Sequence, residues 1–149
     1  MNMETECYNK FPKVLRDALR NEKVMFPQTL RWEYEDMAVY RGIRYTKQKS
    51  FVDKSDFCSN IERHLANSMV PADDHDIGSY SCSCFMDIDQ LRLIANFPRK
   101  NYAIAKGMIK KEFGPIDVND ETSHVHLFLY ENVDPSGEFE VIEKWEQNG

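Results

Sequence analysis

The sequence predicts an α+β fold, with about five strands in one mixed or antiparallel sheet, three helices and a C-terminal β-hairpin. Apolar and polar residues alternate through residues 123–130 and 138–142, which is typical of half-buried strands. Asp-Pro-Ser-Gly at 134–137 supplies turn chemistry between them. Three earlier segments carry apolar residues at helical spacing, and these apolar stripes need a sheet to pack against.

Length and composition predict one globular domain. The chain has 149 residues, of which 42% are hydrophobic and 12% aromatic. This size is the common one for a single domain with its own core. We expect a flexible N-terminus at residues 1–10 and a single α+β domain at residues 11–149.

Charge and cysteine content limit the class of partner. The net charge is −6, and an acidic excess disfavours nucleic acid and anionic membranes as partners. The four cysteines lie on regular elements rather than in a disulfide framework, and no signal peptide or membrane-spanning run is evident. We therefore expect free thiols, a cytoplasmic location, and a protein or small molecule as the partner.

Each predicted helix begins at a recognisable signal. The first starts near Phe11 and Pro12. For the second, Ser55 is the expected N-cap, followed by a stripe that includes Leu65. The third has Asp87 as its N-cap and Gln90 three residues later as the partner of a capping box.

Strands precede or follow each of these helices. Residues 36–45 are rich in β-branched and aromatic side chains, and their alternation places Arg41 on the more apolar face. A buried guanidinium there needs a partner or a bound anion. Further strands are predicted at 79–85 and 103–109, and a loop at 113–122.

Three polar groups follow one another along these strands: Arg41 in Tyr-Arg-Gly, the serines around Ser81, and the Glu138-Phe139-Glu140 segment. In this order they resemble the Arg, Ser-x-Ser and Glu-x-Glu pattern of mono-ADP-ribosyltransferases. The resemblance implies that Arg41 holds a dinucleotide phosphate, that Ser81 orders the site, and that a late glutamate polarises the nicotinamide ribose. The alternative is that Arg41 pairs with an acidic side chain and that both glutamates lie on a solvated strand face.

Two shorter motifs are candidate ligands or nucleophiles. His124 and His126 lie at i and i+2 on one strand, a spacing that can place both imidazoles on one metal. A third ligand would come from His75, Asp76 or a cysteine, and the alternative is a pair of surface histidines. Cys82-x-Cys84 is expected to pack in the core, because free cysteine behaves as a small apolar residue.

No motif of high specificity is present, so the sequence favours a small intracellular binding domain of unknown ligand. The competing hypothesis is an ADP-ribosyltransferase-like enzyme that uses Arg41, Ser81, Glu138 and Glu140. The sequence specifies neither a cofactor nor an oligomeric state.

Overall fold

The computed structural model describes residues 8–144. Within this range the chain forms three α-helices and one six-stranded antiparallel sheet, with five short 3₁₀ turns. The helices are α1 (Lys13–Arg20), α2 (Asn60–Ala66) and α3 (Ile88–Ile94). The strands are β1 (Met37–Arg44), β2 (Cys82–Phe85), β3 (Tyr102–Ile109), β4 (Ile116–Asn119), β5 (His124–Leu127) and β6 (Phe139–Lys144).

The α+β class and the three helices confirm the sequence prediction, but the sheet has six strands instead of five. The additional strand is β4, in the segment predicted to be a loop. It pairs with β5 over four residue pairs, from Ile116–Leu127 to Asn119–His124. Gly114 and Pro115 lie directly before this strand and are typical of loops. Because the strand has only four residues, the sequence pattern predicted a loop for the whole segment.

The two C-terminal segments are strands, as predicted, but the sheet order β4-β5-β2-β1-β3-β6 shows that they do not pair with each other. β5 lies between β4 and β2, whereas β6 pairs with β3 at the opposite edge. Asp134 does cap a turn, since its carboxylate accepts a hydrogen bond from the Ser136 N–H at 3.0 Å. This turn redirects the chain towards the far edge of the sheet and does not close a hairpin.

Two of the predicted helix starts differ in the structure. Ser55 lies inside a 3₁₀ turn, and α2 instead begins after Ser59, whose hydroxyl accepts a hydrogen bond from the Glu62 N–H. Leu65 is 70% exposed and so is not part of a buried stripe. The predicted N-cap Asp87 is correct, although its carboxylate accepts from the Asp89 N–H and Gln90 forms no capping box.

The main core lies on the sheet face that carries Val39, Ile43, Val125 and Leu127, all 2% exposed or less. The other face carries Phe85 and Ile104, against which α3 packs through Leu91. The helices α1 and α2 meet Phe128 and Tyr80 in a separate aromatic cluster. No helix within residues 8–144 is long and apolar enough to cross a membrane.

Candidate functional site

The sheet opens between its two central strands. β1 and β2 are joined through one residue pair, Tyr40–Phe85, whereas β1 and β3 pair through eight residues each. Beyond Tyr40 the two strands therefore leave backbone groups that no ladder satisfies. The site is built in this gap.

Arg41 closes the base of the gap and is 5% exposed. Its Nε donates to the carbonyl oxygen of Asp56 at 2.6 Å, Nη1 to that of Ser83 at 2.5 Å, and Nη2 to that of Cys58 at 3.3 Å. The expected acidic partner is not found among the described residues, because the Asp56 carboxylate pairs with Lys49 at 2.7 Å. A guanidinium has five N–H donors, and these three bonds use three of them.

A cavity of about 180 Å³ lies beside Arg41. Its polar wall contains Asn60, Ser81 and Ser83, and its cations are Arg41, Arg63 and Arg99. Its apolar wall is formed mainly by Phe85, Leu91, Ala95, Phe97, Tyr102 and Ile104. No aspartate or glutamate of the described chain lines it, although the protein as a whole carries a net charge of −6.

The two outer arginines have no acidic partner within residues 8–144. Arg99 lies over the Tyr102 ring, 4.2 Å from its centroid. The pKa of Arg63 is below its usual value, because partial burial and then the positive charge of Arg41 disfavour a second cation there. Positive charge thus accumulates in the cavity without a counter-ion from the part of the protein that the structure describes.

Arg63 also borders a second cavity, of about 300 Å³, on the side of Arg44 and Lys49. The two cavities share Gly42, Arg63 and Tyr102. Gly42 leaves this border open, since a side chain there would project towards Leu91. The two cavities are therefore neighbours on either side of Arg63.

Two serine–histidine pairs lie next to the cavity. Ser81 Oγ is 2.7 Å from His126 Nδ1, and Ser83 Oγ is 3.0 Å from His124 Nε2. The imidazole centroids are 4.1 Å apart, and His124 stacks on Phe85 at 4.8 Å. Burial, and then the neighbouring His126, lower the pKa of His124 to about 4, while burial also lowers the pKa of His126.

The predicted metal pair therefore does converge, but one nitrogen of each ring is already bonded to a serine. Within the described chain, the one group of three potential metal ligands is Asp73, Asp74 and His75, which is exposed and does not include His124 or His126. Asp76 accepts a hydrogen bond from the Gly78 N–H instead. Metal binding by the two histidines remains a prediction without a third ligand from residues 8–144.

The predicted catalytic residues fall into two groups. Arg41 and Ser81 line the same cavity, whereas Glu138 and Glu140 do not. Glu138 pairs with Lys110 at 3.2 Å. Glu140 is exposed and faces Lys106 and, beyond it, Tyr40, which places it on the opposite face from Arg41. The expected convergence of all four residues is thus not what the structure shows.

The cysteines of β2 are buried in the main core, as their alternation predicts. The hydrogen bond that the Cys84 thiol donates to Cys82, together with burial, raises the pKa of Cys84. Cys58 lines the cavity, and burial raises the pKa of its thiol too. Cys7 lies outside the described residues.

Sequence reasoning missed Arg63 and Arg99. Arg63 is on α2, and Arg99 is in the connection before β3. Neither has a local motif, so only the folded chain brings them to Arg41.

Comparison with family models, with curated proteins and with solved structures finds no significant match to this chain.

Proposed function

We propose that the protein is a binding module for a small phosphate-bearing ligand, held in the cavity between β1 and β2. The observation that carries the proposal is a cavity with three arginines and no carboxylate among its described lining residues. Like charges that line one cavity repel each other, and an anion from solution relieves that cost. Arginine matches phosphate by paired N–H donors, so phosphate suits this site better than a simple halide.

The remaining walls support a ligand with a second, less polar part. Ser81, Ser83 and Asn60 offer hydrogen bonds, while Phe85, Leu91 and Phe97 form an apolar surface. Binding sites for small molecules usually combine an apolar lining with a few convergent polar groups.

The free state of the three described cysteines supports a reducing, cytoplasmic location, which a measured disulfide would contradict.

Calorimetric titration with inorganic phosphate and ADP-ribose tests the proposal. We expect binding by the unaltered protein and a loss of affinity in Arg99→Gln, because the substitution removes one cation from the cavity. Arg31→Gln is the matched control, since Arg31 is exposed and lies outside the cavity. Absence of binding at millimolar ligand, or equal losses in both variants, would contradict the proposal.

A second candidate is an enzyme that transfers ADP-ribose from a nicotinamide dinucleotide. It is favoured by one observation, the shared cavity of Arg41 and Ser81. The side chain next to Ser81 is His126 and not a glutamate, so the carboxylate that such a reaction would use is missing from the described site. Release of nicotinamide from NAD, measured by chromatography, would support this candidate, and binding of NAD without release would exclude it in favour of the binding module.

A further inference from the structure

The Ser81–His126 pair combines a hydroxyl, a proton acceptor and a cationic cavity. Ser81 Oγ lies 2.7 Å from His126 Nδ1 and 2.8 Å from the Gly78 carbonyl oxygen. The single hydroxyl proton can be given to either acceptor, and the tautomer of His126 with its proton on Nε2 accepts it at Nδ1. A nucleophile within hydrogen-bond distance of a base is the arrangement that covalent catalysis requires.

The second serine–histidine pair, Ser83 and His124, differs in its surroundings. His124 is stacked on Phe85 at 4.8 Å, and its Nε2 lies 3.0 Å from Ser83 Oγ, a longer contact than the one between Ser81 and His126. His126 lies directly opposite Asp117 in the β4–β5 ladder, so an acidic residue is its cross-strand neighbour. A carboxylate beside His126 stabilises the imidazolium that forms when the ring takes up the Ser81 proton.

We propose that Ser81 is a nucleophile that takes a phosphoryl group from a phosphate monoester bound in the arginine cavity. This inference rests on the proposed function, since Arg41, Arg63 and Arg99 must first bind the phosphate. Ser81 Oγ forms a bond to phosphorus, the bond from phosphorus to the ester oxygen breaks, and the Ser81 proton passes to His126 Nδ1. The ester oxygen leaves in line with Ser81, on the far side of phosphorus, and takes a proton from solvent, while His126 keeps the Ser81 proton.

The second half of the reaction regenerates the protein. Water attacks phosphorus from the side opposite Ser81 and gives a proton to solvent, and the Ser81 oxygen leaves and takes its proton back from His126. The products are inorganic phosphate and the free hydroxyl. The arginines stabilise the charge on the phosphoryl oxygens in both halves, which is the main catalytic requirement of phosphoryl transfer.

The test uses p-nitrophenyl phosphate as the probe. We expect p-nitrophenolate release by the unaltered protein, and an acid-quenched sample should carry one phosphoryl group on Ser81 in peptide mass spectrometry. Ser81→Ala should lose both signals, and His126→Gln should slow release about a hundredfold. Ser68→Ala and His75→Gln are matched controls, because both residues are exposed and lie outside the cavity.

Circular dichroism and phosphate calorimetry on each variant separate loss of chemistry from loss of fold. Bound phosphate without release, or release without phosphoryl transfer to Ser81, would overturn the nucleophile and leave the binding module intact. Absence of phosphate binding would overturn both proposals.

Discussion

Replacing Arg63 by glutamine should change stability and affinity in opposite directions. In the free protein, Arg63 has no acidic partner within the described residues, and it lies near the buried cation Arg41. Removing its charge relieves repulsion and breaks no ion pair. Because Arg63 is exposed to solvent, we expect a small effect, an increase in the free energy of unfolding of about 0.2–1 kcal/mol.

The affinity for phosphate should fall in the same variant. One hydrogen bond from a charged donor contributes about 1.5–3 kcal/mol, which corresponds to a loss of roughly 10- to 150-fold in affinity. Glutamine keeps a polar side chain at the mouth of the cavity but lacks the positive charge and the paired donors. Arg63 should therefore stabilise the complex with phosphate while slightly destabilising the free protein.

Urea unfolding and calorimetry on the same preparations measure both quantities, with Arg31→Gln as the control. A loss of more than about 1 kcal/mol of stability would mean that Arg63 is a structural residue like Arg41. Unchanged affinity together with unchanged stability would refute the reasoning about the cavity altogether.

Three further predictions concern stability. Arg41→Lys should lower the free energy of unfolding by about 2–4 kcal/mol in urea, because an ammonium cannot reach all three carbonyl oxygens, and a loss below about half a kcal/mol would refute this role. Leu127→Ala, at a fully buried core position, should cost about 2–5 kcal/mol by the same assay, and a negligible change would contradict its place in the core. Because the folded pKa of His124 is about 4 and its ordinary value is 6.5, the unfolded chain takes up this proton first as the pH falls. The contribution of His124 to the free energy of unfolding is therefore complete above pH 6.5 and is lost towards pH 4. We expect this loss to be about 1–2 kcal/mol after allowance for the half-exposed ring. An equally steep decline in His124→Gln would assign the effect to other groups.

Local patterns predicted those parts of the fold that depend on neighbours in sequence. The burial of Arg41 follows from alternation along β1, and the position of Asp87 follows from helix capping. The proximity of His124 and His126 likewise follows from their i, i+2 spacing. Each of these features is set within a few residues.

Pairing between distant strands could not be predicted in this way. The turn at Asp134 is correctly located, yet a turn does not specify which strand the next segment will join, and β6 crosses to the far edge of the sheet. The cavity is similarly non-local, since Arg63 and Arg99 reach Arg41 from separate elements. The requirement of Arg41 for a partner was apparent from the sequence, but backbone carbonyls supply that partner, and these leave no trace in residue type.

The strands β1 and β2 share a single residue pair, so backbone hydrogen bonding is weakest at this point of the sheet. Every other neighbouring pair of strands shares at least four residue pairs, so the joint at Tyr40–Phe85 breaks with the smallest loss of backbone hydrogen bonds. Side chains hold the two halves together at this point, because Val39 and Ile43 of β1 pack with Cys82 and Cys84 of β2 in one core. Arg41 connects the two strands as well, because its Nη1 donates a hydrogen bond to the carbonyl oxygen of Ser83. The Arg41 side chain is therefore part of the connection between β1 and β2 as well as of the cavity wall.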